Sequence, residues 1–177
     1  MTHHFYQKLR TLFFFSIIIG SLLDINQLRS STAKDIDFSE MSIEIAHTAE
    51  QKMWGLMQRR SLPSKYGMLF VLNPGKENYF WSFNCFVDIT LVFLDQNFRV
   101  LKSSHLQPYP HKMSLIPPIL DIQALYTIEI PQDLKHFFIK KSIKVPKEAF
   151  FAIEVAYAEF KPNYFQIGDY LLIYNHP

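Results

Sequence analysis

The chain has a single cysteine, Cys85, among its 177 residues, so no intrachain disulfide can staple it and its core alone must hold the fold. Glycine is scarce, at five, and turns must therefore draw on Asn, Asp and the ten prolines. The formal charge is only +2, which gives no ground for nucleic acid as a partner, and none is expected. The sequence has no phosphate-binding loop, no zinc-type Cys or His spacing, no HExxH pair, no nucleophile elbow and no internal repeat. His47, His105, His111 and His136 share no ligand spacing. No metal, no cofactor and no catalytic residue is therefore assigned.

What is present is apolar. Hydrophobic residues make up 49% of the chain and aromatics 16%, with 17 phenylalanines, enough to fill the core of one domain. Near the N-terminus, Lys8 and Arg10 precede an uncharged apolar run over residues 12–23 that ends at Asp24. A membrane-spanning helix needs roughly 20 apolar residues and a signal-peptide core about 7–15. Residues 1–33 are thus expected to be a signal peptide, with Ser31-Thr32-Ala33 as the cleavage site, or an N-terminal membrane anchor. Either outcome makes the protein exported, periplasmic or extracellular. Residues 34–41 read as a linker, and residues 42–175 as a single globular domain.

Within that domain, β-branched alternation predicts a strand over residues 42–46. Thr48 and Gln51 form a capping box that opens a helix over 49–58, with Met53, Leu56 and Met57 inward and Trp54 beside them. Strands follow over 67–72, 78–84 and 86–94, the first two separated by the turn Asn73-Pro74-Gly75. A hairpin at Asp95-Gln96-Asn97 leads into a strand over 99–103. Four prolines between residues 107 and 118 mark a surface loop. Beyond it lie a strand over 125–130, a helix over 132–141 carrying Leu134, Phe137 and Phe138, a long strand over 149–160 and a last strand over 170–174. Consecutive short strands with few helices give an α+β, mainly antiparallel β fold, small and barrel- or sandwich-like.

A few side chains are oddly placed for such a fold. Asp88 interrupts an apolar strand whose other face, Cys85 to Phe93, is uncharged. It reads either as a site carboxylate, with Asn84 four residues before it, or as one half of a structural ion pair with Arg59. Cys85 itself reads as a buried, inert thiol. Glu154 shares a strand face with Ala152, Ala156 and Ala158; that leaves room above it for another element or a ligand, although plain solvent exposure is the simpler reading. Tyr79 and Trp81 could form an aromatic platform or belong to the core. Lys135, Lys140, Lys141, Lys144 and Lys147 form a basic cluster that is a solvated face, a partner contact or, with the N-terminal apolar segment, a membrane contact.

One stretch carries a family likeness. Gly55-Leu56-Met57, Arg59, Leu62-Pro63 and Gly67-Met68-Leu69-Phe70 resemble the signature of the small exported family called domain of unknown function 192. Phe80-Trp81 and Asn84, Asp88, Asp95, Val100, Ile153-Glu154 and Gly168-Asp169 resemble its later blocks. The resemblance implies a compact, mostly β domain, commonly exported, with no established activity or cofactor. Ser82, Phe83 and Cys85 stand where the family has Met, Lys and Thr. Phe98 replaces a Gly, Trp54 a basic residue, and the segment 104–147 is longer than the family's. Arg59, Trp81, Asn84, Asp88 and Glu154 are the ligand-binding candidates. They suit a non-catalytic binding or accessory module for a small molecule, glycan or protein. The alternative is a small hydrolase-like enzyme using the carboxylates of Asp88 and Glu154.

Overall fold

The computed structural model describes residues 33–108 and 131–173, with Gln123, Thr127 and Glu129 between them. The expected signal or anchor segment up to residue 32 and most of the Pro-rich loop lie outside the described residues, as do most of the strand expected over 125–130 and the chain end from residue 174. Thr127, which is described, is helical.

The apolar run Ile89–Leu94 (β5) is buried along its whole length, so it must have a covered face on either side. It lies inside a five-stranded sheet with β2 (Ser42–Ala46), β3 (Tyr66–Val71), β6 (Val100–Leu106) and β8 (Phe151–Ala156), in the order β2-β3-β8-β5-β6. The β2–β3 pair is parallel and the other three are antiparallel. On one face Phe70, Leu91, Phe93 and Ala152 pack with Leu56, Met57, Phe83 and Phe138. On the other, Leu69, Val92, Ile153 and Val155 pack with Ile36, Phe38, Phe165 and Leu171. The alternation of every central strand therefore serves two cores at once.

The first face is covered by α1 (Ala49–Trp54) and α2 (Gln132–Lys141), with a short antiparallel pair formed by β4 (Tyr79–Phe80) and β7 (Ile143–Lys144). The second is covered by a parallel pair, β1 (Asp35–Asp37) with β9 (Tyr170–Leu172). Layers on both faces make the domain sandwich-like and α+β. Among the described residues the sheet does not close into a barrel, since β2 and β6 each have one paired side.

The strands expected over 86–94 and 149–160 shorten to Ile89–Leu94 and Phe151–Ala156, and three further expectations are corrected. Residues 34–41 are not a linker: β1 pairs with β9, and Ile36, Phe38 and Met41 are buried. The buried Asp169 carboxylate fixes this corner, accepting from the Lys34 N–H at 3.0 Å and the Gln166 N–H at 2.9 Å. The first helix ends at Trp54 rather than Gln58, because Gly55 takes φ +50°. The positive φ is what favours glycine there, since a Cβ would meet the Phe70 ring only at ordinary contact distance. The strand expected over 78–84 shrinks to Tyr79–Phe80, because Asn84 at φ +56° turns the chain and the Cys85 N–H bonds back to the Ser82 carbonyl. The capping box of Thr48 with Gln51 and the helix over 132–141 are present as expected.

Candidate functional site

Glu154 sits in the middle of the sheet. Its register partners are Met68 on β3 and Leu91 on β5, and Glu44 of β2 lies one strand further along the same row. Its neighbours along β8 on that face are Ala152 and Ala156, which project little. The layer above the sheet is therefore incomplete over Glu154. α1, the residues after it and the segment 72–85 enclose a cleft of about 380 Å³ there. Glu154, Cys85, Phe70, Leu56 and Met57 form its buried lining. Trp54, Tyr79 and Trp81 line the more exposed part, with Lys52, Asn73 and Asn78 as polar neighbours.

The expectation that Glu154 faces solvent is therefore wrong: the residue is 4% exposed. The layer packed above the sheet, which residue spacing along β8 could not reveal, covers nearly all of it and leaves it at the floor of the cleft. Among the described residues no group donates a hydrogen bond to its carboxyl. Burial without a donor disfavours the charged form, and the Glu154 pKa is pushed up to about 8, with the Arg59 charge opposing the rise. Burial, with the Glu154 charge added, likewise pushes up the thiol of Cys85, which makes it a poor nucleophile.

Trp81 has a fixed setting. Its ring stacks on Phe83 with centroids 5.1 Å apart and meets Phe138 of α2 edge-on at 5.8 Å. Phe83, where the family resemblance expects Lys, is itself buried against Phe138 at 5.1 Å. Lys52, which sequence reasoning missed, donates from Nζ to the Val71 carbonyl at 2.9 Å. Nothing in the polar face of a short helix singled it out.

The other candidates lie apart from Glu154. Asp88 precedes β5, is half-exposed, and pairs with His105 Nε2 at 2.6 Å, whose ring stacks on Tyr157 at 4.1 Å. His105 is in register with Thr90, whereas Glu154 is in register with Leu91, so the two carboxylates belong to opposite faces of the sheet. Asn84 is buried, and its backbone carbonyl accepts from the Gln58 N–H at 2.8 Å. Arg59 does not reach Asp88. Gly55 ends the helix early and Gln58 reverses the chain at φ +68°, which carries Arg59 over β2 and β3 instead. There its guanidinium donates to Glu44 Oε2 at 2.6 Å and to the Tyr66 hydroxyl at 2.7 Å, and the Tyr66 hydroxyl also donates to Glu44. That hydroxyl, followed by the guanidinium, holds the Glu44 carboxyl below its ordinary range, with burial opposing.

Two outcomes follow. The unfolded chain releases the Glu154 proton near its ordinary 4.5 and the folded chain near 8, so between those values the folded state holds an extra proton. The contribution of Glu154 to stability therefore falls as pH rises through that window, by up to roughly 1.4 kcal/mol per unit. Urea titrations from pH 5 to 8 should show the wild type losing stability relative to Glu154→Gln; parallel curves would contradict a raised pKa. Separately, a double-mutant cycle should find Arg59→Ala coupled to Glu44→Ala by about 0.5–1 kcal/mol, as fits a partly exposed pair, and additive with Asp88→Ala.

The sequence matches the profile of DUF192, described as an uncharacterised ACR, over residues 30–145, which takes in most of the segment set apart above as unusually long. No curated protein matches the chain. A solved structure from Sinorhizobium meliloti, described as that of a proposed transcription regulator, aligns at 16% identity with a TM-score of 0.51. The alignment covers 72% of this chain and 78% of that one, and at such identity it speaks for the fold alone. A protein of unknown function from Novosphingobium aromaticivorans aligns at 20% identity and a TM-score of 0.45, covering 67% of each chain. With its profile matched over well more than half of its length, the chain belongs to DUF192, a family whose function is uncharacterised.

Proposed function

We propose that this protein is a non-catalytic binding module that takes a small organic ligand into the cleft between α1 and segment 72–85. The observation that carries the reading is the placement of Glu154, a buried carboxyl with no donor among the described residues, at an open cleft. Burying an ionised carboxyl without a partner opposes folding by several kcal/mol, so Glu154 enters the fold protonated and its charge becomes costly as pH rises towards 8. A cost of that kind is retained where a site uses the group, and aromatic side chains beside it offer the ligand contact area. Acid–base catalysis by a carboxylate pair has less support, because Asp88 lies across the sheet from Glu154. The module acts, in this reading, outside the cytoplasm, delivered by the charged and apolar segment within residues 1–33.

Glu154→Leu should raise the unfolding free energy by about 1–3 kcal/mol at pH 8, as removal of an unpaired buried charge does. The same substitution should abolish the thermal stabilisation that a small-molecule library gives the wild type. Trp81→Ala should weaken that stabilisation at least tenfold in ligand concentration. A Glu154→Leu protein that is less stable and still responds to the same compounds would refute the reading. For location, N-terminal sequencing from the native cell should find a mature start near Lys34 or a full-length, membrane-bound chain. A soluble full-length chain in the cytoplasm would refute export.

A further inference from the structure

Resting on that reading of the cleft, we propose that its ligand is an organic ammonium ion: the charged nitrogen sits on the Glu154 carboxylate and the organic body packs against Trp81. The ionised form of a buried carboxyl needs a positive partner, and the groups around Glu154 can be taken element by element. From α1 comes Lys52, whose ammonium is held by the Val71 carbonyl at 2.9 Å. From the turn after α1 comes Arg59, engaged by Glu44 and the Tyr66 hydroxyl. β2 contributes Glu44, an acid already served by those two donors. Met68 of β3 and Leu91 of β5 flank Glu154 and cannot ionise. The segment before β5 brings Cys85, a buried thiol held in its neutral form. Both nearby cations thus have other acceptors, and the acceptor capacity of Glu154 is left for a guest.

The rest of the lining favours the same class. Trp54, Tyr79 and Trp81 carry negative π-faces that attract cations, and Trp81 is braced by Phe83 and Phe138. A guest anion would meet the Glu154 carboxyl, with Lys52, already bonded to the Val71 carbonyl, as the cation of the lining. A neutral acceptor could bind only the protonated acid. That difference gives the two ligand classes opposite proton linkage. An ammonium ion displaces the Glu154 proton and binds more tightly as pH rises towards 8, whereas a neutral acceptor needs that proton and binds more weakly.

The test is titration calorimetry of the full chain with three amines, ethylamine, 2-phenylethylamine and glucosamine. Each is paired with its neutral counterpart: ethanol, 2-phenylethanol and glucose. At least one amine is expected to bind tenfold or more tightly than its counterpart. Its affinity should rise by nearly tenfold per pH unit between 6 and 7.5, with proton release visible in buffers of different ionisation heat. Glu154→Gln should abolish both the preference and the pH dependence. If neutral compounds bind as well as the amines, or affinity falls as pH rises, the ammonium assignment is wrong and the cleft remains a binding site. If no member of the panel binds at millimolar concentration, the ammonium assignment is again wrong; the small-molecule library response then decides the cleft separately. Should Glu154→Gln fail to fold, the wild-type pH dependence decides the matter alone.

Discussion

Burial of the central sheet on both faces is the constraint on which the rest of this structure depends. β5 is buried along its whole length and β8 through its middle, so nearly every residue on them is committed to one of two packed layers. Those layers come from distant parts of the chain. One combines α1 with α2, and the other combines β1 with β9, which lie at opposite ends of the described domain. Long-range pairing of this kind carries a loop-closure cost that only the hydrophobic gain of both cores can offset. Asp169 ties the corner at which those two ends meet, and its burial is justified by the two backbone N–H groups it satisfies.

Set in this frame, Glu154 is the exception. Every other residue that β8 turns to the first face is apolar, and the row it occupies runs from Glu44 through Met68 to Leu91. The Glu44 end of that row has a guanidinium and a phenol to serve it, and its carboxyl is held acidic. Glu154, two strands in, has neither and is held towards its neutral form. Two glutamates on one row thus have opposite protonation behaviour, set by whether a donor reaches them. The aromatic cluster of Trp81, Phe83 and Phe138 links the cleft to α2. That helix belongs to the segment that looked foreign to the family pattern, so the segment takes part in the core and braces the site.

Much was legible in the order of residues because the signals are local. The capping box at Thr48 and Gln51, the β-branched alternation of residues 42–46 and the apolar run of β5 each depend on neighbours a few positions away. The family signature, the α+β class and the spare room beside the alanines of β8 could be read in the same way. Boundaries failed where backbone conformation at one residue decided them. Gly55 cut the helix and Asn84 cut the strand, each by entering a left-handed conformation that its residue type allows but does not compel.

What the sequence by itself determined is which segments are apolar, with what period, and hence that a β-rich domain with one or two short helices must form. The tertiary structure alone decided which polar side chains meet. Arg59 pairs with Glu44 rather than Asp88 because the turn at Gln58 redirects it, and Asp88 finds His105 through the β5–β6 register. It also decided that Glu154 is buried and Asp88 is not. Alternation assigns a residue to a face, but only the layers packed on each face determine whether water reaches it.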